Sequence, residues 1–302
     1  MSLALYTFAS EAYVPAVAAL INSARQTGFS GPIYVGSPEP LSIAAQACDH
    51  VIFHVLGESP YWPGNRKAEL VLTHPSERFA FLDADMIIND GTFLQRLDQW
   101  INIAPVFTLE GLLAPIDYRR HMWAKRLGNG SKSDRWPIHY FNSGLFAGRF
   151  SRDEPLLQAW DSAIRSALTP PGDLFSDLDF PMPDQDALNA VLQEWEPQPI
   201  CVGPPDIWVA ATQVNPFLHI GTFKQPALLH CTGRGKPWLI TKPPTRGPNA
   251  YELAWYKHAV VFPAPVHLRA VIQPLMRNWF EQRPLSRLLL GLKSKWRRLL
   301  RT

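Results

Sequence analysis

The chain has 302 residues, of which 46% are hydrophobic and 18% are charged, a composition typical of globular rather than disordered proteins. The formal net charge of +3 becomes −4 once the seven Arg and Lys residues that follow Glu281 are left out, and no Asp or Glu lies among them. The body of the protein therefore lacks the basic surface that nucleic-acid binding requires, and we expect no nucleic-acid partner.

The cysteines and the apolar segments indicate the cellular compartment. Cys48, Cys201 and Cys231 are far apart and form no C-x-x-C motif, which supports neither a zinc site nor a disulfide framework and fits a reducing cytoplasm. Residues 1–13 contain no basic segment followed by a long apolar run, and no stretch of about 20 apolar residues occurs anywhere. We therefore expect a cytoplasmic protein without a signal peptide or a membrane span.

Strands and helices alternate along the first third of the chain. The predicted strands are Leu3–Ala9, 31–38, 50–56 and Phe79–Leu82. The predicted helices are Val14–Ala24, Leu41–Cys48 and Lys67–Thr73. This alternation is typical of an α/β domain with a mainly parallel sheet, in which ligands bind at the carboxyl ends of the strands.

Two acidic residues follow the strand Phe79–Leu82. Asp83 and Asp85 are separated by one residue and precede a second apolar run. Burying an unpaired charge costs about several kcal/mol, so we expect a cation or a polar ligand at this position. Two hard oxygen ligands suit Mg²⁺ or Mn²⁺ beside a substrate phosphate. A D-x-D pair is short and common, however, and by itself it fits solvated aspartates at a turn better.

Residues 111–140 interrupt the α/β pattern. They contain six Arg and Lys residues and two Trp residues, with few periodic apolar positions. The segment is either a solvated excursion or a lid and acceptor-binding wall, in which Trp stacks on sugar rings and Arg holds acidic groups. The sequence favours neither interpretation.

Three later segments carry polar residues where strands or helices begin or end. The strand at 140–150 contains the triplet Asn142-Ser143-Gly144, which indicates either an edge bulge or a close approach of a ligand. A helix is predicted over Arg152–Ala167, and Asp184, taken alone, is a helix cap. A further strand ends in His230, and the turn with Gly233 and Gly235 that follows can bring Lys236 round to hold a phosphate. A lone histidine at a strand end is more often structural.

Four segments together resemble the retaining glycosyltransferases of family 8, which include glycogenin and bacterial lipopolysaccharide galactosyl- and glucosyltransferases. The segments are FLDADM, FNSGLF, DQDALN and HCTGRGKPW, and they occur in the family's order within residues 3–238. The resemblance implies a GT-A nucleotide-diphospho-sugar transferase fold over 1–245, an α/β architecture with a mainly parallel mixed sheet flanked by helices. Residues 111–140 would be its lid or acceptor-side excursion.

The resemblance also implies a donor, an ion and a reaction. The donor is a nucleotide sugar, UDP-linked in most members, and the acceptor is a saccharide or a lipid-linked saccharide. The ion is Mn²⁺, with Mg²⁺ as the alternative, and its ligands would be Asp83, Asp85 and His230. Imidazole suits Mn²⁺ better than Mg²⁺. The enzyme would transfer a hexose with retention of configuration.

The same resemblance implies functions for single residues. The catalytic residues would be Lys67, Asp184 and Gln185, with Asp184 on the transferred sugar and Gln185 near the anomeric carbon. Tyr13 would stack on the base, and Lys236 would hold the diphosphate. The complete donor-binding set would be Thr7, Ala9, Ser10, Tyr13, Lys67, Asp83, Ala84, Asp85, Asn142, Ser143, Asp184, Gln185, His230, Gly233 and Lys236.

The chain departs from the family pattern at two places. Ser10 stands where the family has Asn or Asp, so strict selectivity for uridine is not implied. Residues 180–183, Phe-Pro-Met-Pro, replace the glycine-rich approach of glycogenin, so acceptor contacts beside Asp184 can differ. Retention has two routes, a covalent enzyme intermediate or same-face attack. The amide of Gln185 is a poor nucleophile, which favours same-face attack.

The C-terminal extension 246–302 ends in a predicted amphipathic basic helix over 284–302. Its apolar face consists of Leu285, Leu288, Leu289, Leu292, Trp296, Leu299 and Leu300. Such a helix can lie on an anionic membrane, which predicts a peripheral protein on the inner face of the cytoplasmic membrane. The alternative is a helix packed on the body with a solvated basic face.

Two other classes of protein compete with the transferase. A phosphatase of the haloacid dehalogenase type also has D-x-D after a strand, but its pair lies near the N-terminus with Thr or Val at the offset that Ile87 occupies here. The loop with Lys236 has no counterpart in that class. A non-catalytic sugar- or membrane-binding protein of the same fold is the second alternative. The intact residues Asp83, Asp85, His230 and Lys236 argue against it.

Overall fold

The computed structural model describes residues 2–46, 48–128, 138–168, 180–203, 206–208, 226–233, 235–261, 266–268 and 274–281. The strands are β1 Ala4–Phe8, β2 Ile33–Ser37, β3 Val51–Val55, β4 Arg78–Leu82, β5 Met86–Ile88, β6 Val106–Leu113, β7 Ile138–Arg149, β8 Ile200–Val202, β9 Ile207–Trp208 and β10 Leu228–His230. The α-helices are α1 Val14–Gln26, α2 Lys67–Thr73, α3 Thr92–Trp100, α4 Tyr118–Leu127, α5 Phe150–Ala167, α6 Pro183–Leu192, α7 Ala250–Tyr256 and α8 Pro274–Phe280.

The central sheet has seven strands in the order β3-β2-β1-β4-β7-β6-β8. Strands β3, β2, β1 and β4 are parallel, β7 is antiparallel to both β4 and β6, and β8 is parallel to β6. A second sheet of three strands has the order β5-β10-β9. The predicted α/β architecture with a mainly parallel mixed sheet is confirmed.

Helices cover both faces of the central sheet because successive strand residues point to opposite sides. Leu5 packs in a core with α1 and α7, whereas the next residue, Tyr6, packs in a core with α2, α5 and α6. Phe81 and Phe146 stack at 4.9 Å between ring centroids, and Trp160 of α5 lies edge-on to Phe146 at 4.9 Å. These contacts fix β4, which ends at the acidic pair, against β7, which passes beside that pair at Gly144.

One predicted helix is wrong. Leu41–Cys48 was expected to be helical, but only Ser42–Ala45 forms a single 3-10 turn. Ile43 is the one buried residue of this turn, so no apolar stripe anchors a longer helix. The carboxylate of Glu11 accepts hydrogen bonds from the backbone N–H of Ser42, at 2.9 Å, and from its hydroxyl, which holds the start of the turn.

Part of the segment 111–140, which was predicted to interrupt the α/β pattern, forms regular strands and a helix. β6 continues to Leu113, α4 occupies Tyr118–Leu127, and β7 begins at Ile138. Residues 129–137 lie outside the described part of the chain. The excursion therefore leaves from the end of β6 and returns into β7, two adjacent antiparallel strands of the central sheet.

The chain after 245 begins with helices that pack on α1. α7 starts with a capping box, in which Asn249 accepts from the N–H of Glu252 and the carboxylate of Glu252 accepts from the N–H of Asn249. Tyr251 and Phe280 are buried in the same core as α1. Residues 282–302, with the predicted amphipathic helix, lie outside the described residues. No described helix is long and apolar enough to cross a bilayer.

Candidate active site

The acidic pair lies in the tight turn between β4 and β5. The backbone N–H of Met86 donates to the carbonyl of Asp83 at 2.9 Å, which closes the turn. β5 pairs antiparallel with β10, and in this register Met86 lies opposite His230. The strand pairing thus brings a histidine about 150 residues distant in sequence to the two aspartates. The alternative of solvated aspartates at an ordinary turn does not describe this arrangement, because Asp85 is only 6% exposed.

Asp83, Asp85 and His230 form one group, in which one ligand atom from each residue lies within 4.8 Å of the other two. His230 Nε2 is 3.4 Å from Asp83 Oδ2 and 3.3 Å from Asp85 Oδ1. Two carboxylates and an imidazole are a donor set that Mn²⁺ accepts. Within the described part of the chain, these three side chains are the cluster of His, Cys, Asp or Glu whose ligand atoms are close enough to bind one metal ion.

The three residues compensate one another electrostatically. Burial by itself lowers the pKa of His230, but the hydrogen bonds and charges of Asp83 and Asp85 outweigh burial and raise this pKa to about 9. Burial raises the pKa of Asp83, but the charge of Lys67 and the hydrogen bond from His230 hold it well below its usual range. A protonated imidazole can therefore balance the carboxylates until a cation replaces its proton.

Gly144 lies so close to the group that only a residue without a side chain fits there. A Cβ atom at this position would lie 2.5 Å from His230 Cε1, 2.7 Å from Asn142 Oδ1 and 2.8 Å from Asp83 Oδ2. Any side chain at this position would clash with Asp83 and His230, two of the three residues of the group. The bulge predicted at the polar triplet is present, although β7 is an inner strand of the sheet and not an edge. Phe107 of β6 pairs with Phe146 and the next residue, Thr108, pairs with Asn142, which leaves residues 143–145 without a partner on β6. At this bulge β7 contacts the acidic turn, and the N–H of Asp83 donates to the carbonyl of Gly144 at 2.7 Å.

Lys67 connects the acidic turn to α6. Its Nζ lies 2.8 Å from Asp83 Oδ1, 2.9 Å from Asp184 Oδ2 and 3.2 Å from Ser143 Oγ. Burial lowers the pKa of Lys67, but the charges of Asp184 and Asp83 raise it above its usual value. The Ser143 hydroxyl donates to Asp184 at 2.5 Å. Asp184 is thus not a helix cap with its side chain on the backbone, since its carboxylate binds Lys67 and Ser143.

Lys236 approaches from the other side of the acidic pair. It forms an ion pair with Asp85 and donates to the carbonyl of Cys231. Gly233 has φ of +85°, a conformation that a residue with a side chain rarely adopts, and it turns the chain so that Lys236 points back. The ammonium of Lys236 lies 6.0 Å from the ring centroid of Tyr13, and Tyr13 meets Trp238 edge-on at 5.5 Å.

The remaining predicted donor-binding residues lie at the end of β1 and in the acidic turn. Thr7 is fully buried, and its hydroxyl has no hydrogen-bond partner among the described residues. Ala9 and Ala84 are buried, which leaves their backbone groups as the available contacts. Ser10 precedes a 3-10 turn but makes no side-chain hydrogen bond to it. The Thr7 hydroxyl and the Ser10 side chain are therefore unused by the local backbone.

Glu110 is a site residue that the sequence did not single out. Its Oε2 accepts from Asn142 Nδ2 at 3.1 Å and from Gln185 Nε2 at 2.7 Å. It lies on β6, a strand not predicted from the sequence, at an exposed position. The only available signal was an acidic residue within the otherwise uncharged run Val106–Leu113. No feature of that run predicted that β6 would lie beside α6.

Solved structures share this architecture. The crystal structure of the glycosyltransferase GlyE from Streptococcus pneumoniae TIGR4 superposes with a TM-score of 0.55 at 13% identity, covering 92% of this chain and 62% of that chain. WbbM, a bifunctional glycosyltransferase determined in its apo form, superposes with a TM-score of 0.53 at 14% identity, covering 87% of this chain and 50% of that chain. The fold is a glycosyltransferase fold of the GT-A type.

The comparison establishes the GT-A fold and leaves the chemistry to the site itself, because the identities are low. The chain spans about 62% and 50% of the lengths of these two proteins. The sequence matches no model of a known protein family and no curated protein sequence. Within this GT-A chain, the acidic turn, the β7 triplet, the starts of α2 and α6 and the end of β10 meet in one place.

Proposed function

We propose that the protein is a retaining glycosyltransferase that transfers a hexose from a nucleotide sugar to a saccharide or lipid-linked acceptor. The observation that carries the proposal is the group Asp83, Asp85 and His230 with a buried lysine on each side, in a GT-A fold. A phosphatase needs a carboxylate free to attack phosphorus. Here Asp83 is bound by Lys67 and His230, and Asp85 by Lys236 and His230.

The residues fit a divalent cation. Asp83, Asp85 and His230 would hold it, and Gly144 leaves room beside Asp83 and His230. A bound Mn²⁺ supplies Lewis acidity, which stabilises the negative charge that a departing diphosphate carries. Mg²⁺ is the alternative ion, although the imidazole favours Mn²⁺.

Lysines complement the diphosphate from two directions. Lys236 is near Tyr13, so a base stacked on Tyr13 places its phosphates beside this ammonium, with Gly233 forming the turn. Lys67 lies at the opposite end, between Asp83 and Asp184. Both ammonium groups are fixed by carboxylates before a donor arrives, so little reorganisation is needed when the leaving group develops charge.

The transferred sugar would lie against β7 and the start of α6. Asp184 can accept from a sugar hydroxyl, and Asn142 and Ser143 supply further polar contacts. Gln185 is 1% exposed and would face the anomeric carbon, where its amide cannot form a stable covalent intermediate. Same-face attack, with the departing phosphate as the base, is therefore the route we propose for retention.

UDP and the ion together provide the first test. We expect UDP with Mn²⁺ to raise the melting temperature, since a ligand at about 100 times its Kd contributes about 2.7 kcal/mol. UDP with EDTA should give a smaller shift, and vanadate or tungstate should give none. A panel of nucleotide sugars then identifies the donor by release of nucleotide. Stabilisation by the phosphate analogues without any response to UDP and Mn²⁺ would establish the phosphatase instead.

We also propose that residues 284–302 hold the enzyme on the inner face of an anionic membrane, where a lipid-linked acceptor is available. Six Arg and Lys residues and a leucine face within this segment are the support for this proposal. The full chain should sediment with vesicles that contain phosphatidylserine, whereas a chain ending at residue 283 should not.

The truncated chain should keep its hydrolysis of the donor, because the described site lies before residue 240. Neutral phosphatidylcholine vesicles and 0.5 M salt are the controls, and both should weaken binding of the full chain. If the truncated chain still sediments with anionic vesicles, another surface is the anchor.

A further inference from the structure

Glu110 stands apart from the other carboxylates of the site. It belongs neither to the metal-ligand group nor to the pairs formed by Lys67 and Lys236. It is exposed at the edge of the site, whereas its partners Asn142 and Gln185 are 6% and 1% exposed. One oxygen of Glu110, Oε2, accepts from both amides.

Because it accepts from both amides, the Glu110 carboxylate determines the orientation of the Asn142 and Gln185 side chains. An ionised carboxylate only accepts hydrogen bonds, so both amides must turn their NH₂ groups toward Glu110. The carbonyl end of Asn142 then points in the opposite direction, where its Oδ1 accepts from the N–H of Gly144 at 2.8 Å. That oxygen lies beside the space shared by the metal ligands, since it is 2.7 Å from the Cβ position of Gly144.

The amide of Gln185 is oriented by its contact with Glu110. Its Nε2 donates to Glu110 Oε2 at 2.7 Å. Because the amide nitrogen faces the carboxylate, the carbonyl oxygen of Gln185 is directed away from Glu110.

We propose that Glu110 is a positioning residue that orients the amides of Asn142 and Gln185 so that their carbonyl oxygens face the transferred sugar. The inference rests on the proposed glycosyl transfer. Cleavage of the sugar–phosphate bond leaves positive charge on the ring, and oxygen ends of fixed amide dipoles stabilise this charge. Reversed amides would present N–H groups there and oppose it. Glu110 thus acts through two neighbours rather than by contact with the substrate.

Glu110→Gln tests the proposal, because it keeps the size of the side chain and removes the requirement for two donors. We expect kcat with the identified donor to fall about 10- to 100-fold, as when a group that orients a ligand is lost, while KM for the donor changes less than threefold. Glu110→Asp keeps an acceptor-only group and should recover part of kcat. Glu154→Gln is the matched control and should behave as wild type, because Glu154 is a half-buried carboxylate on α5 that likewise accepts from a side-chain amide, that of Gln158 at 3.0 Å, and belongs to no part of the site.

A second measurement does not require turnover. In ¹⁵N-labelled protein, the side-chain NH₂ resonances of Asn142 and Gln185, assigned with Asn142→Asp and Gln185→Glu, should shift in Glu110→Gln and not in Glu154→Gln. Unshifted resonances, or an unchanged kcat in an active enzyme, would overturn the inference. A wild-type protein that uses no nucleotide sugar would instead refute the proposed function, and the resonances would still report whether Glu110 orients the amides.

Discussion

Replacing Asp85 by Asn should abolish turnover that depends on the divalent cation. We expect kcat to fall by more than the roughly 10- to 100-fold that loss of an outer-shell partner costs, because Asp85 itself would bind the ion. The side chain is 6% exposed and makes contacts with His230 and Lys236, so an uncharged amide removes one ligand and one counter-charge together. Nucleotide release from the donor, measured across a Mn²⁺ titration, shows the loss.

Asp49→Asn provides the matched control, since Asp49 is exposed and lies far from the site in sequence. Both variants should keep the circular dichroism spectrum of the wild type, because the turn that contains Asp85 is closed by backbone hydrogen bonds. Isothermal titration with Mn²⁺ should show weakened binding in Asp85→Asn only. Turnover equal to that of the wild type in Asp85→Asn would contradict the assignment of the metal ligands.

The convergence of Asp83, Asp85 and His230 was expected from the resemblance that four segments carry together. Taken alone, the acidic pair favoured solvated aspartates at a turn and the histidine favoured a structural position, although ligands in α/β sheets bind at the carboxyl ends of strands. The pairing that joins them was not predictable, since β5 and β10 have only three residues each and lie in a separate small sheet. Periodicity carries little information over three residues.

Glu110 and the Lys67–Asp184 pair show why the other contacts of the site could not be predicted from the sequence. Lys67 is the first residue of α2 and Asp184 is the second residue of α6, and no local pattern relates two residues 117 positions apart in the numbering. Glu110 depends on β6 lying next to β7 in the central sheet, a neighbour relation that only the strand order reveals. Residues that act through long-range pairing leave weak signals in a single sequence.

The interruption at 111–140 illustrates a related limit. Its charge and tryptophans suggested either a solvated excursion or a wall of the site. The structure places Trp123 of α4 at 0% exposure, stacked near Tyr140 at 6.3 Å between centroids. That tryptophan is a packing residue that fixes α4 against β7, so it is not free to stack on a sugar. Composition alone could not separate a buried indole from an exposed one.

Lys67→Met should have the largest effect on stability, in addition to loss of activity. It leaves Asp83 and Asp184 facing each other without the ammonium between them, and removing one partner of a buried ion pair costs about 3–5 kcal/mol. Methionine has a similar length and keeps the contact with Phe81, over whose ring the Lys67 ammonium lies at 5.9 Å. Urea denaturation followed by tryptophan fluorescence measures the change.

The loss of unfolding free energy in Lys67→Met should depend on pH and should be larger at higher pH. The folded pKa of Asp83 lies below its unfolded value, so its ion pair stabilises the wild type above the unfolded pKa, and this contribution disappears as the pH falls through the folded pKa. The difference in unfolding free energy between the wild type and Lys67→Met should therefore be greatest at neutral pH and should decrease toward pH 3.

A double variant separates charge from packing. In Lys67→Met with Asp83→Asn, the unpaired carboxylate is also removed, so the second substitution should recover part of the stability that the first one loses. If the two losses simply add, or if the pH dependence of Lys67→Met matches that of the wild type, the buried ammonium does not hold Asp83 in its charged form. In that case the acidic turn owes its charge balance to His230 and Lys236 alone.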